Sequence, residues 1–260
     1  MQTESKACCT RPPVVLRGGY NYTPKGRYAT RNGLRTYETG PENSKRGVIF
    51  IYDIFGEFIQ TIRGADILAT GYPSVDDQAG DFKVFMPVWF GDSPADLAMY
   101  PPKTPPQFAY IKEFMSGPAN PAHTVPLILP MLETLKLANP EIESWAILGF
   151  CWGGKVATLV SGEGSSFKAS AQAHPSLLNV KDAESMRIPH CVLPSRDEVP
   201  EVMEPWIEAL KKASPKSYSE TFEDQVHGWM ASRADFENVR NFEEYLRGYR
   251  IVRTFFNVHL

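Results

Sequence analysis

Short apolar runs rich in β-branched residues alternate along this chain with segments whose apolar residues recur at helical spacing. Such runs, bounded by glycine or proline, predict buried strands, and the helical period predicts amphipathic helices. The predicted strands are residues 34–39, 47–52, 82–88, 144–148, 167–173, 189–193 and 217–222, and the predicted helices are 59–70, 121–139, 156–161, 202–212 and 236–256. This alternation predicts an α/β fold with a mainly parallel central sheet and helices on both faces.

Two stretches fall outside the alternation. Residues 1–46 are rich in glycine, proline and polar side chains, which predicts a loose N-terminal arm with short strands. Residues 91–106 contain five prolines and predict an excursion over the surface, either a lid or a plain loop. Because no repeat, low-complexity tract or linker interrupts the chain, we expect a single domain over residues 1–260.

Composition and charge narrow the class of protein. Hydrophobic residues make up 43% of the 260, and a chain of this length can bury enough apolar surface to fold without a disulfide or metal. The formal net charge is -3, with no basic stripe, which disfavours a nucleic-acid partner. No apolar run approaches the length of a membrane span, and the N-terminus lacks the apolar core of a signal peptide. We expect a cytoplasmic monomer or homodimer whose partner is a small-molecule substrate, with no membrane contact.

The four cysteines do not have the spacing of a disulfide framework. Cys8 and Cys9 are adjacent, and the other two are Cys151 and Cys191. Adjacent cysteines are poorly placed to cross-link a fold, so the expected compartment is reducing.

The sequence Gly-Phe-Cys-Trp-Gly-Gly at 149–154 stands between an apolar strand and a predicted helix. A nucleophile at a sharp strand-to-helix turn needs small flanking residues, because the two backbones pass closely. The positive end of the helix favours a thiolate at Cys151, and the N–H of Trp152 is a candidate oxyanion-hole donor. The alternative is an inert buried cysteine in a glycine turn.

A nucleophilic thiol needs a base, and the chain has five histidines. His227 lies in a loop after the last predicted strand and before the final helix, where the order nucleophile, acid, histidine places the base. His174 follows a strand, and we interpret it as a residue near the rim of the site rather than the base. His190 is expected to be structural, and no motif supports the remaining two, His123 and His259.

The orienting acid is predicted in the segment after the strand at 189–193. Asp197 lies between the nucleophile and His227 in chain order and is the preferred acid, which would hold the imidazole in its useful tautomer. Glu198 is the alternative, with the ordinary role of a solvated loop charge. Asp224 ranks third because it lies on the histidine loop itself.

These residues resemble the dienelactone hydrolase family, and its fungal-type branch most. The resemblance is carried by GFCWGGK, by HGWMASRADF at 227–236 and by the order Cys151, Asp197, His227. It extends over nearly the whole chain, with further matches in Cys8-Cys9, YTPKG at 22–26, IYDIFGE at 51–57, GADILA at 64–69 and MPVWFGDSPAD at 86–96. It implies an α/β-hydrolase fold, hydrolysis of small cyclic esters and no metal or organic cofactor.

The resemblance also implies roles for residues around the nucleophile. The carboxylate that contacts the resting cysteine corresponds to Asp53, where bacterial members usually have Glu, and the second oxyanion donor corresponds to the N–H of Ile54. The alternative for Asp53 is a turn-forming residue at a strand end. Arg233 is the candidate for binding a substrate carboxylate, although its spacing from His227 differs from the bacterial pattern.

Three tryptophans are candidates for the wall of an apolar pocket. Trp89 occupies a segment where related sequences often carry an acidic residue and an aromatic. Trp152 follows the nucleophile, and Trp229 lies two residues after His227. The alternative for each is a place in the hydrophobic core, where large aromatic residues are common.

The predicted activity is hydrolysis of a lactone through an acyl-enzyme on Cys151. Three alternatives remain open: a hydrolase of another lactone, lactam or small ester in detoxification or secondary metabolism, a non-catalytic small-molecule-binding protein, and a redox-sensing thiol with Cys191 as its resolving partner.

Overall fold

The computed structural model describes residues 11–16, 21–72 and 81–260. Cys8 and Cys9 lie outside the described residues. Within the described part, eight strands form one sheet in the order β1-β2-β4-β3-β5-β6-β7-β8. Their bounds are β1 Arg27–Arg31, β2 Leu34–Thr39, β3 Arg46–Ile51, β4 Lys83–Pro87, β5 Ser144–Phe150, β6 Ala169–Ala173, β7 His190–Leu193 and β8 Tyr218–Ser219. The β1–β2 and β2–β4 pairs are antiparallel, and the remaining pairs are parallel.

Helices connect the parallel strands. In the described residues they are α1 Ile59–Thr70, α2 Pro105–Ser116, α3 Pro121–Ala138, α4 Trp152–Leu159, α5 Val180–Ser185, α6 Pro200–Ala213 and α7 Val239–His259, with a 3-10 turn at Leu97–Met99. No helix in these ranges combines the length and the apolar character that crossing a bilayer requires.

Two neighbouring residues of β5 show that the sheet is covered on both faces. Phe150 contacts Tyr249 of α7 with the two rings tilted and their centroids 6.1 Å apart. Gly149 faces α4, because a Cβ placed there would lie 2.0 Å from the carbonyl oxygen of Gly153. Successive residues of a strand point to opposite faces, so α7 and α4 lie on opposite sides of the sheet.

Burial explains why the central strands read as continuous apolar runs. Every residue from Gly47 to Ile51 in β3 is buried, as are the five residues of β6. Strands of a parallel sheet lose both faces to helices, so alternation between polar and apolar residues disappears. The core joins both layers through Val48, Phe50, Leu148, Trp145, Tyr245 and Tyr249.

The structure differs from the predicted elements in three places. Helix α2 begins at Pro105, inside the predicted excursion, because Thr104 caps it, prolines fill its first turn and Gln107 completes a capping box. The short helix α5 was not predicted, whereas β1 lies in the N-terminal arm for which short strands were expected. The last strand is shorter than predicted, since only Tyr218–Ser219 pairs with β7 and Phe222 forms an isolated bridge to Ser195.

The topology sets the position of the site. From β3 the chain moves to β4 on one side, and β5 then lies on the other side of β3. The loops after β3 and β5 therefore separate at the carboxyl edge of the sheet, which is where open α/β sheets bind ligands. The first of these loops contains Asp53 and Ile54, and the second begins with Cys151.

Candidate active site

Cys151 occupies the turn between β5 and α4 in a strained conformation. Its backbone angles are φ 52° and ψ −113°, which a residue with a side chain adopts only when its surroundings enforce it. Neighbouring glycines allow the turn, since a Cβ at Gly153 would lie 2.5 Å from the carbonyl oxygen of Ile51. The predicted strand–turn–helix context of the cysteine is confirmed, and the sulfur lies in a site where the residue is 1% exposed.

The same close approach brings two backbone segments together at the predicted oxyanion hole. Trp152 is the first residue of α4, so its N–H has no acceptor within the helix. Ile54 lies in the tight turn after β3, where the N–H of Gly56 bonds the carbonyl of Asp53 at 3.1 Å. Because α4 packs through Gly153 onto the end of β3, both N–H groups belong to the segments that border the sulfur.

His227 is held between the sulfur and a carboxylate. Its Nδ1 lies 2.5 Å from Oε1 of Glu198, and its ring interacts electrostatically with Cys151. All three side chains are buried, with Cys151 and His227 1% exposed and Glu198 7% exposed. The structure thus brings Cys151, His227 and Glu198 together in one buried group.

The carboxylate that contacts Nδ1 of His227 is that of Glu198, whereas the sequence favoured Asp197 as the acid. Asp197 accepts a hydrogen bond from the backbone N–H of His227 at Oδ2, 2.9 Å away, so its contact is with the main chain of the histidine loop. The reason lies in the turn after β7. Ser195 Oγ accepts the N–H of Asp197 at 3.2 Å, and the Ser195 N–H bonds the carboxylate of Glu198, which turns the later side chain inward.

Electrostatics favour a charged pair at the reacting atoms. Burial lowers the pKa of His227, but the neighbouring charges of Cys151 and Glu198 outweigh it and raise the pKa to about 10. An imidazolium beside the sulfur stabilises the thiolate. The arrangement can therefore supply a nucleophile and a proton donor from one pair of groups.

Asp53 is buried at 2% exposure and bridges two loops. Oδ1 accepts the N–H of Phe55 at 3.0 Å, and Oδ2 accepts the hydroxyl of Ser232 at 2.6 Å. Burial raises the pKa of this carboxyl, and the charge of Cys151 raises it further, while the Ser232 hydroxyl opposes both. The contact of Oδ1 with the Phe55 N–H is the turn that the sequence offered as the alternative role of Asp53. The contact of Oδ2 with Ser232 ties the turn after β3 to the segment after His227.

His174 lies against the base and not at the rim of the site. It is fully buried at the end of β6 with φ 37°, and its ring meets the His227 ring edge-on at 5.0 Å. Phe150 stacks on its other side at 5.5 Å. Burial lowers its pKa well below the usual value, with His227 and Arg233 acting in the same direction. His174 is therefore a neutral aromatic support for the imidazole.

Two serines at the site escaped the sequence reasoning. Ser232 binds Asp53, and Ser176 places its hydroxyl oxygen 3.5 Å from the sulfur of Cys151. A signal existed for Ser176, because it follows β6 at the same edge of the sheet as the nucleophile. Serine is so common in loops that its type alone did not distinguish it.

The predicted substrate-binding side chains are in different surroundings. Arg233 is 4% exposed and donates to the carbonyl oxygens of His227 and Arg11, both at 3.0 Å, so it braces the histidine loop. Trp229 is fully buried and stacks on Phe222 at 4.2 Å, which assigns it to the core.

The other two tryptophans differ in burial. Trp152 is fully buried, and its ring is tilted against that of Phe90 with centroids 4.6 Å apart. Trp89 is half-buried. Both indole N–H groups lack an acceptor within the described ranges, so this feature does not distinguish the two, and a binding role for Trp89 stays a prediction.

Among the residues that the structure describes, no cluster of three or more histidine, cysteine, aspartate or glutamate side chains is arranged to hold a metal ion.

Comparison with known proteins gives a family match and a relative of similar length. The model of the dienelactone hydrolase family matches residues 34–259. An uncharacterised AIM2 family protein of Schizosaccharomyces pombe is 34% identical over 253 residues, which cover 96% of this chain and 98% of the relative.

Two solved structures share the architecture. A dienelactone hydrolase from Anabaena variabilis has a TM-score of 0.61 at 9% identity, over 90% of this chain and 97% of its own. A dienelactone hydrolase-like promiscuous phosphotriesterase from metagenomic libraries has a TM-score of 0.60 at 17% identity, over 88% and 97%. These likenesses confirm the predicted α/β-hydrolase fold with its mainly parallel sheet.

Proposed function

Because this chain belongs to the dienelactone hydrolase family, a family of hydrolases, we propose that it hydrolyses small activated esters, enol lactones foremost, through an acyl-enzyme on Cys151. The observation that carries the proposal is the buried chain from Cys151 through His227 to Glu198. It supplies a nucleophile, a proton carrier and an orienting acid in the order that acyl transfer needs.

The first step forms a carbon–sulfur bond. The Cys151 thiolate attacks the ester carbonyl carbon, and the electron pair of the C=O bond moves to the oxygen. The N–H groups of Trp152 and Ile54 stabilise this oxyanion, which develops its charge where preorganised donors already point.

The tetrahedral intermediate then collapses. Its C–O bond to the leaving oxygen breaks, and the His227 imidazolium transfers the Nε2 proton to that oxygen. The product is a thioester on Cys151, and in a lactone the leaving hydroxyl or enol remains attached to the acyl group. Glu198 keeps the Nδ1 proton in place and stabilises the imidazolium while it exists.

Hydrolysis of the thioester returns the resting pair. Neutral His227 takes a proton from water as the water oxygen attacks the thioester carbon. The second tetrahedral intermediate expels the thiolate, which again faces an imidazolium. A thiolate leaves readily, so the first intermediate goes forward only when the ester oxygen is also a good leaving group. This preference favours enol and aryl esters over amides.

The test compares two cysteine variants against a panel of activated substrates: an enol lactone, dihydrocoumarin and p-nitrophenyl acetate. We expect Cys151→Ala to lower kcat/KM at least about a thousandfold, since losing a nucleophile removes most of the acceleration. Cys191→Ala is the matched control, because Cys191 is also buried but lies within strand β7 rather than in the turn before α4.

Mass spectrometry of the enzyme quenched during turnover should show the acyl group on the peptide that contains Cys151. Full activity in Cys151→Ala, with both variants melting close to the parent, would show that the sulfur is not the nucleophile. Absence of turnover on every substrate, despite a reactive thiol, would favour a non-catalytic binding role.

A further inference from the structure

The segment after β6 reaches the nucleophile from a third loop. Ser176 is 3% exposed, and its Oγ accepts a hydrogen bond from Sγ of the Cys151 thiol at 3.5 Å; once the sulfur is a thiolate, the hydroxyl must be the donor of this bond. Bulk water is excluded from both side chains, since Cys151 is 1% exposed. A thiolate formed there has lost its hydration, so each donor that faces it has a large effect on its stability.

Backbone strain shows that the position of Ser176 is enforced. The residues at the two ends of its turn, His174 and Leu177, have φ values of 37° and 53°. Non-glycine residues in this region are strained and persist only where the surroundings determine their conformation. The turn therefore holds the hydroxyl in a conformation that a relaxed loop would not select.

Two contacts fix the ends of the turn. The N–H of His174 donates to the carbonyl of Leu193 on β7 at 2.8 Å. Lys155 donates from Nζ to the carbonyl of Leu177 at 2.8 Å and forms a buried ion pair with Asp182. Lys155 belongs to α4, the helix that follows Cys151 directly. The element that positions the sulfur thus also positions the hydroxyl.

We propose that Ser176 is a further catalytic residue, whose hydroxyl donates a hydrogen bond to the Cys151 thiolate both in the resting enzyme and as the thiolate leaves the thioester. This inference rests on the proposed function. A thiolate is a stronger acceptor than a thioester sulfur, so the bond strengthens as negative charge returns to the sulfur in deacylation. Ser176 supplies the contact between this turn and the sulfur, in addition to the interaction of the sulfur with His227.

Other titratable groups act on the sulfur directly or through a neighbouring residue. Asp53 and Cys151 interact unfavourably through their charges, and the His227 imidazolium interacts favourably with Cys151. His174 is neutral, while Glu198 and Arg233 act through His227 and Asp53. Removing the Ser176 hydroxyl changes none of these charges, so its effect on the sulfur is separable from theirs.

The experiment measures the rate of alkylation of Cys151 by iodoacetamide as a function of pH, followed by mass spectrometry of the peptide that contains it. We expect Ser176→Ala to move the midpoint of this profile up by about one pH unit. That is a tenfold smaller thiolate fraction below the midpoint, or about 1.4 kcal/mol. The same variant should lower kcat more than it changes KM.

Matched variants separate the hydroxyl from packing. Ser176→Thr and Ser176→Val have nearly the same shape and differ in the hydroxyl, so Thr should keep the parental midpoint and Val should shift it as Ala does. This pair also decides the matter where the alanine variant does not fold. Ser161→Ala is a control at a buried serine that bonds Ser170 and the Ala157 carbonyl, and its profile should match the parent.

Identical midpoints for the parent, Ser176→Ala and Ser176→Val would overturn the inference and leave the proposed function standing. A shifted midpoint in an enzyme that turns over no ester would support the hydroxyl–thiolate bond and count against the proposed function. An ordinary thiol midpoint in the parent, unchanged in the variants, would contradict both the bond and the thiolate mechanism.

Discussion

Replacing Glu198 by glutamine tests which carboxylate orients the base. Nδ1 of His227 lies 2.5 Å from Oε1 of Glu198. Glutamine keeps an oxygen that can accept the Nδ1 hydrogen, but it loses the negative charge. Asp197→Asn is the matched control, because Asp197 bonds the backbone N–H of His227 at 2.9 Å and an asparagine oxygen can preserve that bond. The two variants remove the same charge from adjacent positions.

The expected size of the effect follows from the separation of the charges. A carboxylate and an imidazolium about 4 Å apart attract each other by about 4 kcal/mol at an effective dielectric constant of about 20. At about 1.4 kcal/mol per tenfold change in rate, loss of the charge should lower kcat/KM about a thousandfold. We expect Asp197→Asn to lower kcat/KM less than about tenfold, because its neutral replacement keeps the backbone contact.

The assay is hydrolysis of p-nitrophenyl acetate, with urea unfolding to confirm that both variants are folded. Alkylation of Cys151 gives a second measurement without substrate, and Glu198→Gln should slow it at neutral pH since the pKa of His227 falls. A large loss in Asp197→Asn together with near-parental activity in Glu198→Gln would refute the assignment and restore the acid that the sequence favoured.

Two further predictions concern buried polar groups. Ser232→Ala removes a hydroxyl that opposes the raised pKa of Asp53. We expect the free energy of unfolding in urea to fall by about 1–3 kcal/mol and the acid limb of the activity profile to move to higher pH. A variant unchanged in both measurements would contradict the bond between Ser232 and Asp53. Burial lowers the pKa of His190 to about 3, so between pH 6.5 and 3 the unfolded chain takes up a proton that the folded chain does not, and stability falls as pH falls. His190→Asn should flatten this fall by up to about 1.4 kcal/mol per pH unit in urea titrations, and an unchanged slope would show that this histidine is protonated in the fold.

Hydrophobic patterning was sufficient for the central elements of the fold. Helix α1 matches its predicted bounds at both ends, and β2 does as well, because each has a clear pattern and a glycine or a tight turn next to it. Helix α2 was not predicted, since Pro105 and Pro106 look like loop residues until their place in the first turn is known. The short β8 lies at the edge of the sheet, where few neighbours enforce an extended chain.

At the site, chain order predicted that Cys151 and His227 lie together, because parallel strands bring their following loops to one edge, and the structure places their side chains in electrostatic contact. Chain order could not choose between adjacent acids. The selection of Glu198 depends on the turn at Ser195, where two backbone hydrogen bonds decide which side chain points inward. The contacts of Ser176 with the sulfur and of Ser232 with Asp53 depend likewise on loop conformations that have no periodic signature.

Enclosure of the reacting atoms explains why so many of these bonds cross between loops. A thiolate and an imidazolium at about 1% exposure are stable only when neighbouring groups replace water. The replacements come from different loops: Glu198 from the loop after β7 and Ser176 from the turn after β6. Each of these groups is itself fixed by a further contact. The polar groups of the site are therefore in place before substrate binds. The energy that binding provides can then go into the transition state rather than into reorganising the loops.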